Sequence, residues 1–260
     1  MNRVSSNRWV AVGMPVLAAI ALVCGWQAIV SVCGLPPVIL PSPRDVLRAF
    51  VGEAESLIPA VLMTSLASGI GLVVSAILAT GLAIAFCESK PIRLAFFPYV
   101  LAMQTMPVVA IAPLLIVWLG YTFTAIVAVT VIVCLFPIVN SIAVGLLQIA
   151  PEHHDLLKIY GASRWQTLAS LRFPSAVVHA LTGLQTGAVL AVIGAIVAEF
   201  FVSNGTSIEG LGTLITRMMM QNRTDVLIAA LFASATIGLA FYHGIGWIGR
   251  TVFARYLPPT

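Results

Sequence analysis

Six apolar stretches separated by polar segments dominate the chain, at approximately 9–30, 57–86, 95–119, 124–147, 176–202 and 226–248. A bilayer core about 30 Å thick needs roughly 20 apolar residues of helix to cross it, and each stretch is long enough. The pattern predicts an all-α polytopic membrane protein with about six transmembrane helices. Three polar segments are longer than simple connections. The first, 34–56, opens proline-rich and then reads as a short amphipathic helix with Val46, Leu47 and Phe50 on one side, predicted to lie on the outer membrane surface. The others are 148–175 and 203–225, and with no internal repeat the chain reads as one transmembrane domain over 1–260.

Composition narrows the class. With 60% hydrophobic residues, 8% charged and a mean hydropathy of +1.06, no water-soluble fold of this length could hide the apolar surface. The net charge of +4 does not signal nucleic acid, because the 13 Lys and Arg residues are scattered in ones and twos. Their distribution sets topology instead. With a cytoplasmic N-terminus, the inner segments hold Arg3, Arg8, Lys90, Arg93, Lys158, Arg164, Arg172, Arg250 and Arg255, against Arg44, Arg48, Arg217 and Arg223 outside. Both termini are therefore expected inside. The first apolar run is too long for a signal peptide and no A-x-A site follows it, so it is expected to remain as a helix. Cys24, Cys33, Cys87 and Cys134 have neither metal-ligand spacing nor a disulfide pattern.

The inner segment 148–175 is punctuated like two short helices. Pro151 suits a first helical position, Glu152 and Asp155 lie near the positive helix end, Lys158 falls in the last turn, and Gly161 can supply a left-handed cap. Ser163 and Gln166 form a capping-box pattern for a second helix over 165–173, which Pro174 is expected to end. Leu156, Leu157 and Tyr160 share one side of the first helix, an apolar patch with a charged rim. That patch suits either a protein partner or packing beneath the chain's own bundle.

Asp155-Leu156-Leu157, with Gly161 after three residues and then Leu171, Phe173 and Pro174, resembles the EAA loop of bacterial ATP-binding-cassette (ABC) importer permeases, Asp155 standing for the usual glutamate. Leu40-Pro41-Ser42-Pro43, Gly161-Ala162-Ser163-Arg164-Trp165-Gln166, Ala198-Glu199-Phe200 and Gly210-Leu211-Gly212 resemble the nitrate, sulfonate and taurine branch, which includes relatives for thiamine precursors. The resemblance implies a permease in the bacterial inner membrane, working as a homodimer with two copies of a cytoplasmic ATPase and an extracytoplasmic solute-binding protein. It implies that a helix between the fourth and fifth spans, with Asp155, Leu156, Leu157, Tyr160, Gly161, Ala162, Ser163, Arg164 and Pro174, couples to that ATPase. The chain carries no G-x-x-x-x-G-K-[ST] loop, so ATP and magnesium are expected on the partner and no cofactor or catalytic residue on this chain.

Polar residues within the apolar stretches are the pathway candidates. Gln104 and Thr105 lie mid-stretch among Pro98, Pro107 and Pro113, where freed carbonyls and a kink suit either a pathway or helix packing. Glu199 sits near the outer end of the fifth span, as a gate or binding-protein contact, or as an interfacial carboxylate reaching the headgroups. Gly183 and Gly187 permit close helix approach, within the chain or across a dimer. Glu152, His153, His154 and Asp155 diverge by about 100° per residue and cannot converge on one metal. A secondary transporter is the rival reading; it should carry embedded coupling acids and often a repeat. An intramembrane enzyme would need a nucleophile and base at matching depth.

Overall fold

The structure, a computed structural model, describes residues 8–148, 159–161, 163–203 and 208–253, with the side chains of 8–12, 164 and 165 outside the description. Among those residues the regular structure is helical, with no strand. In chain order the elements are α1 (Arg8–Cys33), α2 (Pro43–Gly52), α3 (Ala54–Glu88), α4 (Lys90–Thr105), α5 (Val108–Leu119) and α6 (Phe123–Leu147), followed by α7 (Arg164–Thr167) and a π turn (Leu168–Arg172). Then come α8 (Phe173–Val202), α9 (Leu211–Met220) and α10 (Thr224–Val252). Five described helical stretches are long and apolar enough to span a membrane, and the bent pair α4–α5 makes a sixth if counted as one.

The bend corrects the continuous span expected at 95–119. Met106 precedes a proline and is held out of helical geometry, with φ −74° and ψ 129°, and Pro107 itself is extended. The two helices diverge by 104° across that joint. A second correction concerns Pro174, which ends nothing. The π turn places the Phe173 N–H on the Leu168 carbonyl, and this wider turn accommodates the proline ring. One continuous helical path thus runs from Leu168 to Val202.

At the centre α3, α6 and α8 pack most extensively, and α10 lies against α8. Gly183 and Gly187 serve this packing within the chain: a Cβ at Gly183 would lie 2.6 Å from Ser141 Cβ, and one at Gly187 would lie 2.8 Å from Ile138 Cδ1. Three apolar clusters fill the interior. By contrast α1 buries none of its apolar stretch within the chain and is tethered through Trp26, whose indole donates to the Pro41 carbonyl at 3.1 Å and stacks on Phe232.

Helix α2 is capped reciprocally by Ser42 and Asp45. Its buried side is Val46 and Ala49, each 3% exposed, with Phe50 half-buried, whereas Leu47 is 66% exposed. The expected grouping of Val46, Leu47 and Phe50 is corrected accordingly: small Ala49 marks the contact line, along which α2 docks on α10 and α3. Arg223 ties this corner together, pairing with Glu53 at 3.1 Å and Asp225 at 3.0 Å.

Candidate functional site

Three groups of residues were singled out by sequence, and they lie in three places. The first is the segment 148–175. Asp155, Leu156, Leu157 and Ala162 lie outside the described residues, as does the side chain of Arg164. Of the remainder, Gly161 has φ +70°, the left-handed geometry expected of it. Ser163 N–H donates to Gln166 Oε1 at 2.8 Å and Gln166 N–H returns to Ser163 Oγ at 3.3 Å, completing the capping box at the start of α7. Tyr160 is 79% exposed. Pro174 sits in the first turn of α8.

Sequence reasoning missed the residue that fastens this segment to the bundle. Arg172, in the π turn, donates through Nη1 to Cys87 Sγ at 2.8 Å and pairs with Glu88 at 3.4 Å, both at the end of α3. The pair is only about a quarter exposed, so it is screened less than a surface pair. An acid closing one span and a base opening another were the available signal.

The second place is the opposite end of α8, where Glu199 is fully buried. The Thr64 hydroxyl lies 2.9 Å from its Oε1 and 3.0 Å from its Oε2, and Gly212 N–H donates to Oε2 at 2.8 Å. Thr64 Oγ1 in turn accepts the Leu211 N–H at 2.8 Å. Leu211 and Gly212 are the first residues of α9, whose own N-cap Gly210 offers no side chain. Two neighbouring spans therefore supply the cap that α9 lacks, and a carboxylate there faces the positive helix end.

Glycine is required at this junction by close approach. A Cβ on Gly210 would fall on the Glu199 carboxyl group, and one on Gly212 would fall on the Ile196 carbonyl and lie 2.7 Å from Glu199 Cβ. The words Ala198-Glu199-Phe200 and Gly210-Leu211-Gly212 are thus two halves of one lock, and Thr64 is its unanticipated third part. The headgroup reading of Glu199 is corrected, because the buried acid finds its donors inside the protein, in the Gly212 amide and the Thr64 hydroxyl.

The third place is the α4–α5 joint. Gln104 and Thr105 are both exposed at the end of α4, between exposed Met103 and Met106. Thr105 hydroxyl donates back to the Ala102 carbonyl at 2.8 Å. Thr105 and Glu199 share no hydrogen-bond partner among the described residues.

The family described as binding-protein-dependent transport system inner membrane component matches residues 71–254. The chain is 33% identical over 232 residues, 89% of its length and 91% of the relative's, to the formylaminopyrimidine transport permease protein ThiX of Halalkalibacterium halodurans. It is 34% identical over 244 residues to the riboflavin transport system permease protein RibX of Chloroflexus aurantiacus, covering 93% and 89%. With the taurine transport system permease protein TauC of Escherichia coli it shares 24% over 251 residues, covering 94% and 89%. A crystal structure of a bacterial ABC transporter involved in importing the acidic polysaccharide alginate superimposes with a TM-score of 0.66 at 17% identity, over 95% of this chain and 97% of that one, a likeness of fold.

Proposed function

Because this chain belongs to the family of binding-protein-dependent transport system inner membrane components, we propose that two copies enclose a pathway for a small polar or anionic solute and couple it to ATP hydrolysis on a separate chain. The chain is a permease of an ABC importer and a multi-pass protein of the inner membrane. In our reading all of 1–260 is one permease domain. Its termini and the Arg172 end of α8 face the cytoplasm, and α2 and α9 face outward. A cytoplasmic ATPase dimer holds ATP and magnesium and receives the segment from Asp155 to Arg164. A binding protein delivers solute to the outer face, and Gln104 and Thr105 line the pathway between two copies. The relatives named for formylaminopyrimidine, riboflavin and taurine support this reading of the solute.

One observation carries the mechanism. The helical path from Leu168 to Val202 is continuous, with Arg172 fastened to α3 at one end and Glu199 locking α9 at the other. A push on the inner segment when the ATPase closes tilts a lever whose far end holds the outer helix. Alternating access then needs no new contact, only a shift between two packings of α8.

The test is reconstitution. The purified chain in lipid vesicles is expected to hydrolyse no ATP, and hydrolysis and solute uptake are expected to appear together when its ATPase and binding protein are added. Turnover by the chain alone, persisting against a contaminant control, would contradict the reading. The orientation is checked by cysteine labelling in a background lacking Cys24, Cys33, Cys87 and Cys134: Glu209→Cys is expected to react from outside and Lys90→Cys only from inside. The reverse pattern overturns it.

A further inference from the structure

Helix α8 is packed on both flanks and leaves one side bare between them. One flank closes on α6, where a Cβ at Gly145 would lie 2.8 Å from His179 Cβ and Gly183 abuts Ser141. The other meets α10, where the Gln185 amide donates to the Tyr242 carbonyl at 3.3 Å. At about 100° per residue, Ser175, His179, Thr182 and Thr186 fall within about 60° of the helix circumference, and Val189, Ile193 and Phe200 continue the same line. Ser175, Thr182 and Thr186 are exposed and His179 is half-buried, while Val189, Ile193 and Phe200 are exposed in their turn. The stripe is thus polar over the half nearer Arg172 and apolar over the half nearer Glu199, with exposed Val178 at its edge toward α10. On a straight helix Thr186 stands about 21 Å along the axis from Arg172, so the polar half reaches deep into a hydrocarbon core about 30 Å thick.

Helix α3 shows the opposite arrangement. Its exposed side carries Leu62, Leu66, Ile70 and Ile77, and its hydroxyls Thr64, Ser68 and Ser75 are buried. That is the pattern a span facing hydrocarbon requires. The hydroxyls of α8 do not by themselves rule out lipid, because Ser175 donates to the Leu171 carbonyl at 2.8 Å, Thr182 to the Val178 carbonyl at 3.1 Å and Thr186 to the Thr182 carbonyl at 3.0 Å. The imidazole decides. His179 has no hydrogen-bond or ion-pair partner among the described residues, and neither has the half-buried Ser141 hydroxyl beside it. An imidazole carries polar nitrogens in either protonation state, and leaving them unpaired against hydrocarbon is costly, so ionisable groups at membrane depth face protein or water.

We propose that this stripe faces water between two copies of the chain: His179, Thr182 and Thr186, with Ser141 of α6, line a wet half of the solute pathway, and Val189, Ile193 and Phe200 close the other half dry against the second copy. The inference rests on the two-copy reading and extends the pathway from the α4–α5 joint onto α8. Arg172 and Glu199 hold the two ends of this same helix, so a tilt of α8 moves the wet and dry halves together.

The stripe is tested by cysteine accessibility in the permease assembled with its ATPase in lipid nanodiscs, in a background without the four native cysteines. The probe is a sulfonate-bearing methanethiosulfonate, which lipid excludes and which reacts with the thiolate, a form that hydrocarbon suppresses. His179→Cys, Thr182→Cys and Thr186→Cys are expected to react in the nucleotide-free complex at least several-fold faster than Ile77→Cys on the exposed side of α3. Ile193→Cys is expected to stay as slow as Ile77→Cys. Thr182→Cys and Thr186→Cys reacting no faster than Ile77→Cys, both before and after trapping with ATP and vanadate, overturns the wet half. Ile193→Cys reacting as fast as Thr186→Cys in the nucleotide-free complex overturns the dry half. The mass of the complex is measured on the same samples. Two permease copies with an unreactive stripe leave the two-copy reading standing and strike this one, whereas a single copy per complex strikes both.

Discussion

A Glu199→Ala permease is expected to insert at near-normal abundance and to import solute at a small fraction of the wild-type rate. The substitution strands the Thr64 hydroxyl and the Gly212 amide in a fully buried site. Each unpaired group costs about 1–3 kcal/mol. The membrane spans keep their own backbone hydrogen bonds and packing, so the loss concentrates on α9, which owes its cap to this carboxylate. Faster hydrogen exchange over α9, with unchanged exchange over α6, is the accompanying signature. Glu199→Gln keeps a carbonyl oxygen in place and is expected to recover part of the transport. Thr64→Val removes the acceptor of the Leu211 amide and is expected to fall between the two. Normal uptake by Glu199→Ala, with α9 still protected from exchange, would show that the lock has no part in transport.

The second large effect belongs to Gly161. Its φ of +70° is strained for any residue with a Cβ, and valine resists it most. No heavy atom of the described residues lies within 4 Å of a Cβ built there, so the expected penalty is that of the backbone. It amounts to about 1–3 kcal/mol, absorbed by bending a segment at the surface and not by unfolding the spans. Gly161→Val is therefore expected to reach the membrane normally, bind the ATPase weakly or leave hydrolysis uncoupled, and transport poorly. Gly161→Asn, which tolerates left-handed geometry, is expected to retain much more coupling. Asp155→Ala is expected to follow the valine variant through lost partner contact. Membrane abundance, ATPase co-purification and uptake measured on the same variants decide the matter: folded protein lost in step with transport would assign Gly161 a structural role only.

Much of the fold was legible because lipid imposes a length and an apolarity that sequence cannot disguise, and the apolar runs became α1, α3, α6, α8 and α10. The joint at Met106 was half legible. Pro98, Pro107 and Pro113 announce a disturbance, but Pro98 and Pro113 stay inside helices and only Pro107 opens one, a choice set by packing against α6 and α8. Pro174 was misread because a π turn is a matter of hydrogen-bond register, and its composition is that of any helix. The left-handed Gly161 and the Ser163–Gln166 box were readable because capping is local. The Glu199 lock was not, since its partner Thr64 lies 135 residues earlier and looks like any hydroxyl in a membrane helix.

The central claim is that α8 transmits the state of the cytoplasmic ATPase to the outer helix α9. It is tested most directly by an electron-spin distance measurement between the two copies of a spin-labelled Met220→Cys permease assembled with its ATPase, before and after trapping with ATP and vanadate. The account predicts that the outer distance shifts on trapping, and that Gly161→Val abolishes the shift even when the ATPase remains bound. An outer distance indifferent to nucleotide in the otherwise unaltered, transport-competent complex would contradict it.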